Sequence, residues 1–292
     1  MDSDPQVDRV LVLGPHRLEL GSGARIMGVV NATPDSFFDR GRFFSVRDPG
    51  PAVERAEQLI AEGAWIIDIG GETAQPSSPV LSEEEEISRV VPVIEALAKK
   101  TGVPISVDTY KPGVARRAID AGASLINDTS GLADPTLAKI AADTGTSIVC
   151  MHIPCHPKER LEPGYADPVG AVSRFLREKT ATIEGAGVPR ERILIDPGIG
   201  FGKTPSENLR LIARLGELRS LRYALLFACS RRTFLGNLMG GEPPEDRLEA
   251  TVAVNATAVL KGADLLRVHD VRFMVKLTKM LALISAADQA PP

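Results

Sequence analysis

Eight short runs rich in Ile, Val, Leu and Ala recur along the chain, each closing on a polar side chain. Nothing else in the sequence limits the possible folds so strongly. The runs lie at 25–31, 65–70, 104–108, 124–128, 147–152, 193–196, 224–230 and 265–270. They are nearly continuous in apolar residues, as strands covered on both faces are, whereas a strand wetted on one face alternates. Stretches of helical spacing separate them. Val53, Ala56, Leu59 and Ile60 form one apolar stripe, and Val90, Val93, Ile94 and Leu97 form another. Ser82 followed by Glu85 is a capping-box pair, so the acidic run Glu83 to Glu86 reads as the first turn of a helix and not as a metal site. Eight βα units without a break in composition predict an α/β fold, a single (β/α)8 TIM barrel, in preference to two domains.

Ahead of the first unit, Val10 to Gly14 and Arg17 to Leu20 flank a Gly14-Pro15-His16 turn. They predict an N-terminal β-hairpin closing the lower end of the barrel. The expected division is a tail and hairpin over 1–20, the barrel over 21–287 and a tail over 288–292. The last two helical stretches, near 244–260 and 271–285, are rich in Ala, Val, Leu and Met and suit either core packing or a face between subunits.

Charge and composition narrow the partners. The 34 basic and 38 acidic residues leave a net charge of −4, so there is no global field to gather nucleic acid or an anionic membrane, and any anion must be held locally. Aromatic residues, at 4%, give few platforms for stacking bases. The start, Met1-Asp2-Ser3-Asp4-Pro5, lacks the basic region and apolar core of a secretory signal, and no apolar run is long enough to span a bilayer. Cys150, Cys155 and Cys229 are odd in number and unevenly spaced, which argues against a disulfide framework. A cytoplasmic protein is expected.

The polar closers are Asn31, Asp68, Asp108, Asn127 with Asp128, His152, Asp196, Ser230 with Arg231, and Arg267 with His269 and Asp270. In a barrel these ends converge on one mouth. A single strand-end Asp is as often a cap as a ligand-binding group, but eight such ends are not all caps. Asp and Asn suit a heterocycle rich in donors, while Arg, Lys and His suit an anion. The segment Asp196-Pro-Gly-Ile-Gly-Phe-Gly-Lys203-Thr204 offers backbone amides and a lysine to an anion or a flat ring. It approaches a Walker A loop but has Pro197 where that motif needs glycine. No GxGxxG opens a helix after the first strand, so a dinucleotide site has no support. Cys150, His152, Cys155 and His156 are zinc-ligand types, yet Pro154 and Pro157 prevent the helix that a His-x3-His pair needs. A barrel-interior cysteine with loop histidines is the favoured reading.

Taken together, these motifs resemble those of the dihydropteroate synthase family, the pterin-binding barrels of folate synthesis. The resemblance is carried by Met27-Gly-Val-Val-Asn31-Ala-Thr-Pro-Asp35-Ser-Phe37, Asp68-Ile-Gly-Gly-Glu72, Ile105-Ser-Val-Asp108-Thr109 and Ile126-Asn127-Asp128-Thr-Ser-Gly131. Met151-His152, Asp196 through Lys203, Ser230-Arg231 and Arg267-Val-His269-Asp270-Val271 extend it over roughly residues 20 to 285. It implies that Asp108, Asn127 and Asp196 grip the aminopyrimidine of 6-hydroxymethyl-7,8-dihydropterin pyrophosphate, with Met151, Phe201 and Arg232 also at the pterin. Carboxylates accept from the ring's amino and NH groups, which fits that role. The resemblance further implies Asn31, Arg267 and His269 at the pyrophosphate, with Asn31 at its Mg²⁺. It places Phe37, Ala74, Gln75 and Ser230 around the acceptor p-aminobenzoate, makes Arg232 and Asp39 the catalytic candidates, and implies a homodimer through the late helices. The reaction so implied expels pyrophosphate and joins the methylene carbon to the acceptor amine, and is promoted by stabilising the leaving group and positioning the amine.

The chain departs from the family pattern at four places. Gly-Gly-Glu-Ser-Thr-Arg-Pro becomes Gly70-Gly71-Glu72-Thr73-Ala74-Gln75-Pro76, which removes a hydroxyl and a cation. Losing one charged hydrogen bond in a closed site costs on the order of 2–4 kcal/mol in the transition state, about 10²–10³ in rate. Ser-Arg-Lys becomes Ser230-Arg231-Arg232, exchanging a compact ammonium for a planar guanidinium. Phe-Ser-Asp-Gly-Gly becomes Phe37-Phe38-Asp39-Arg40-Gly41, and Ile153-Pro-Cys-His156 replaces a short glycine-containing turn. Arg40 and Arg42 are candidates to replace the lost cation. The departures predict a diverged second copy that keeps much of the pterin and pyrophosphate pocket while its condensation reaction is lost or severely impaired. The alternatives are an active dihydropteroate synthase, a module that binds a pterin or a partner without catalysis, and a transfer reaction on another heterocycle.

Overall fold

The computed structural model describes residues 9–21, 23–33, 48–73, 78–159, 161 and 164–289. A two-stranded antiparallel hairpin, β1 (Val10–Leu13) and β2 (His16–Glu19), leads into eight βα units. The strands are β3 (Arg25–Asn31), β4 (Ile66–Gly70), β5 (Ile105–Asp108), β6 (Leu125–Asp128), β7 (Ser147–Met151), β8 (Ile193–Asp196), β9 (Ala224–Phe227) and β10 (Leu265–Val268). Each pairs in parallel with its neighbours, and β10 closes on β3, giving the TIM barrel the sequence predicts. The helices outside it are α1 (Gly50–Ala61), α2 (Glu83–Ala98), α3 (Pro112–Asp120), α4 (Thr136–Thr144), α5 (Pro168–Gly185), α6 (Pro205–Ala213), α7 (Thr233–Leu238), α8 (Leu248–Leu260) and α9 (Val271–Gln289). Ser82 caps α2, its hydroxyl accepting from the Glu85 amide at 3.1 Å, while the Glu85 carboxylate pairs with Arg89 at 2.6 Å, so only the serine half of the capping-box pattern forms.

Strand parity sorts the core into two parts. Outward residues such as Val30, Ile67, Val107, Ile126, Ile148 and Ile195 pack against the helices in one large cluster. Inward residues low in the barrel, including Met27, Ile66, Leu125, Val149, Leu194 and Leu265, form a second cluster with Leu11, Leu13 and Leu18 of the hairpin. The hairpin therefore plugs the bottom of the barrel, and Ser147 fastens it there by donating to the Val12 carbonyl at 2.5 Å. Two residues further along each strand the next inward position is reached. There Ile66 gives way to Asp68, Leu125 to Asn127, Val149 to Met151, Leu194 to Asp196 and Leu265 to Arg267. A dry lower layer thus carries a polar upper one, as side chains of period two dictate.

Three expectations need correction. Cys150 belongs to the outer core between barrel and helices, not to the barrel interior. The eighth helix begins at Leu248 and not near Pro244, because Pro244–Asp246 forms a separate 3₁₀ turn. Asp68 is not a strand terminus: Ile69 and Gly70 continue β4 beyond it, and its side chain is wholly buried.

Candidate active site

Arg267 organises the upper layer. Its Nε donates to Asp68 Oδ2 at 2.6 Å and its Nη2 to Asp108 Oδ2 at 2.7 Å, so one guanidinium joins carboxylates from two strands. Asn127 donates its amide to the same Asp68 oxygen at 3.1 Å. Burial pushes the Asp108 carboxyl up to about 7 despite Arg267 beside it, and Asp68 adds to the rise. Burial works against the Arg267 cation, but the two carboxylates outweigh it and hold the proton more firmly than usual. Asp196, at the top of β8, is likewise raised by burial, opposed by the Gly198 amide that donates to its Oδ1 at 2.7 Å. Met151 is registered beside Asp196 across β7 and β8 and is almost fully covered. The sequence-predicted pterin group Asp108, Asn127, Met151 and Asp196 is brought to one end of one barrel.

Beyond Asp196 the chain turns through Gly198, Gly200 and Gly202, all with left-handed φ. Lys203 folds back beneath this loop, donating to the carbonyls of Gly198 at 2.8 Å and Phe201 at 3.0 Å. It is buried, and burial lowers its ammonium to about 7. Lys203 is therefore spent on holding the loop and is not the anion-holding cation that the motif suggested. Phe201 lies under Arg232, whose guanidinium carbon is 4.5 Å from the ring centroid. Burial lowers the Arg232 proton affinity, while Asp196 and Asp108 support the charge, which places Arg232 in the field of the same carboxylates.

Asn31, Ser230 and His269 stand on the opposite side. Asn31 ends β3 beside Gly70. Ser230 Oγ and His269 Nδ1 are 2.9 Å apart, and the His269 amide donates to the same hydroxyl at 3.2 Å. Burial, then Arg267, Arg232, Arg231 and Arg55, lower the His269 imidazole to about 3, so it is neutral at ordinary pH. Arg55 of α1 reaches this end as well, donating to the His269 carbonyl at 3.2 Å. Arg231 faces away from any ligand role: it forks onto Asp270 at 2.8 Å through two nitrogens and donates to the Pro244 and Glu245 carbonyls at 2.7 Å. Asp128 is also structural, accepting from the amides of Ser130 and Leu132 at 2.8 and 2.7 Å.

Phe37, Asp39, Ala74 and Gln75 lie outside the described residues, as do Arg40 and Arg42. The sequence marks Asp68 only as one of the polar closers and assigns it no particular ligand, although its parity with Ile66 marks it as inward. Arg55 was missed because a helix-surface arginine carries no signal of where its head will rest. The cysteine and histidine set does not assemble. His152 packs edge-on against Phe175 at 4.8 Å and is lowered to about 3 by burial, while His156 meets Tyr110 at 5.1 Å. Among the described residues no three His, Cys, Asp or Glu side chains converge to hold a metal ion. The remaining metal candidate, Asn31, offers a single amide oxygen, which suits a Mg²⁺ brought in on a phosphate and not a metal caged by protein.

Known proteins share this fold and much of this sequence. The family described as pterin binding enzyme matches residues 27–269. Dihydropteroate synthase of Bacillus subtilis (strain 168) is 42% identical over 274 residues, covering 94% of this chain and 93% of the relative. The solved structure of Xanthomonas albilineans dihydropteroate synthase with 4-aminobenzoic acid superposes with a TM-score of 0.86 at 41% identity, covering 98% of this chain and 100% of that one. Yersinia pestis dihydropteroate synthase with a sulfonamide drug gives a TM-score of 0.89 at 37% identity, over 96% and 100%. With its fold and its sequence agreeing over nearly the whole length, the chain belongs to the pterin-binding enzyme family and is a dihydropteroate synthase-like TIM barrel.

Proposed function

We propose that the mouth binds 6-hydroxymethyl-7,8-dihydropterin pyrophosphate and that condensation with p-aminobenzoate is severely slowed in this chain. The observation that carries the binding half is the group around Arg267: buried Asp68, Asn127 and Asp196, with Asp108 partly open to the mouth. In that reading Asp108, Asn127 and Asp196 accept from and donate to the aminopyrimidine edge, Met151 and Phe201 cover the ring faces, and Arg232 lies over Phe201 at the ring's margin. Arg267 links this end to the pyrophosphate, which Asn31 and His269 complete. A neutral His269 donates one hydrogen bond to the anion through its ring and adds no charge. Mg²⁺, when bound with the pyrophosphate at Asn31, neutralises part of the departing charge.

The slowed step follows from the acceptor side. Phe37, Ala74, Gln75 and Ser230 are its pocket, Asp39 and Arg232 its catalytic candidates, and Gln75 supplies no cation there. A planar guanidinium held over Phe201 is also less able than a compact ammonium to reach a leaving oxygen and an acceptor amine at once. A second reading, a working synthase, is favoured by one observation: Arg232 keeps a positive charge in the field of Asp108 and Asp196. We also assign the protein to the cytoplasm, where its three free cysteines stay reduced. No helix among the described residues is long and apolar enough to cross a membrane.

The experiment is calorimetric titration with the pterin pyrophosphate and Mg²⁺, followed by pyrophosphate release with p-aminobenzoate. Saturable binding is expected, with turnover at least about 10²-fold below that of a working relative. Comparable turnover selects the active synthase, and absence of pterin binding overturns both readings.

A further inference from the structure

The loops after β4, β5 and β7 meet in a buried ion cluster beside the pterin group. Glu72, just beyond β4, accepts from Tyr110 Oη at 2.9 Å and from the Leu81 amide at 3.1 Å. It also accepts from Lys111 Nζ and pairs with Lys158 Nζ at 3.3 Å. Lys111 bonds Glu86 at 2.7 Å. The four charged side chains are each at most 10% exposed, and two ammoniums balance two carboxylates. Neither lysine has charge to spare for a phosphate, so the cluster does not replace a cation missing at Gln75.

Lys158 differs from the other members in what it connects. Glu72, Tyr110, Lys111 and Glu86 belong to the neighbouring β4 and β5 units, whereas Lys158 crosses from the loop after β7. Besides Glu72 it bonds the backbone carbonyl of Thr73. The edge contact of His156 with Tyr110 runs along the same join. Thr73, Pro157 and Lys158 line one small cleft with Asp108, so the join adjoins the pterin group without touching Asn127 or Asp196.

We propose that Lys158 is a positioning residue for the acceptor amine: it ties the start of the second loop, at Thr73, to the loop after β7 and thereby fixes the acceptor side of the mouth. This rests on the reading above, in which the second loop borders p-aminobenzoate. Lys158→Met keeps the length of the apolar stem, removes the ammonium and leaves Glu72 with Tyr110, Lys111 and Leu81. It should raise the KM for p-aminobenzoate about tenfold, the worth of one hydrogen bond to a charged group. Where turnover is too slow to follow, the same factor should appear in the Kd of p-aminobenzoate on the complex with pterin pyrophosphate and Mg²⁺. Pterin pyrophosphate affinity should change less than about twofold, because its ligands are untouched. Lys158→Arg should recover most of the loss. Hydrogen exchange without ligand should quicken at Thr73 and Leu81 in the Met variant and not in the Arg variant.

Equal binding of both ligands by wild type and Lys158→Met, or weakening of both in proportion with a lowered Tm, would overturn the inference. Wild-type protein that binds no pterin pyrophosphate would instead overturn the function proposed above and the acceptor role with it. Unchanged exchange at Thr73 and Leu81 would then dispose of the tether too.

Discussion

Arg267 sits between two carboxylates that would repel each other inside the barrel without it, and the balance among these three groups sets a pH dependence. Burial, against the pull of Arg267, moves Asp108 from its ordinary 3.8 up to about 7. The folded chain therefore holds a proton there that the unfolded chain has already released. The stability this contributes is present at low pH and is lost as pH rises through about 7. Ligand binding has the opposite sign, since the ring's NH groups need an acceptor and only the carboxylate accepts with both oxygens. Pterin affinity should rise as pH passes upward through about 7, and Asp108→Asn should both weaken binding and flatten the profile. Titration calorimetry at several pH values around neutrality checks this. An unchanged slope in the Asn variant would assign the titration to another group.

The eight strands were legible because parallel strands sheltered on both faces leave unbroken apolar runs, and the hairpin because its turn residues are distinctive. The polar ends were legible only in part. Sequence marks Asp108, Asn127 and Asp196 as polar closers, but it cannot separate them from Asp128 or Asp270, whose partners are a local turn and Arg231. Lys203 looked like an anion ligand for the same reason: whether a lysine faces the mouth or folds under its own loop depends on backbone that only the three-dimensional structure defines. That loop makes its own demand on sequence. Gly198 has φ of +65°, and a Cβ there would meet the His152 carbonyl oxygen at 1.9 Å. Gly198→Ala should destabilise the protein by at least about 1–2 kcal/mol, the cost of a left-handed alanine before the clash is counted. It should also weaken pterin binding by displacing the amide that donates to Asp196. Urea unfolding and calorimetry on the variant test the two effects, and wild-type values in both would show that the loop shifts freely.

Over the whole molecule, apolar residues remain outside on one side of the late helices. Phe273, Met280 and Ile284 follow one face of α9, with Leu260 at the end of α8. A monomer seldom leaves such a stripe in water. A homodimer through these helices is the arrangement we propose, and Phe273→Glu with Ile284→Glu should yield a monomer in sedimentation velocity while leaving pterin affinity intact. A wild-type monomer would refute it. The hairpin at the other end has a kinetic consequence. With Leu11, Leu13 and Leu18 sealing the bottom, the barrel is a vessel with one doorway. Whatever rests on Asp196 and Asn127 has to enter before anything that settles nearer the rim. For two substrates in such a vessel, steady-state kinetics should be sequential with a compulsory order of binding, the deeper ligand first.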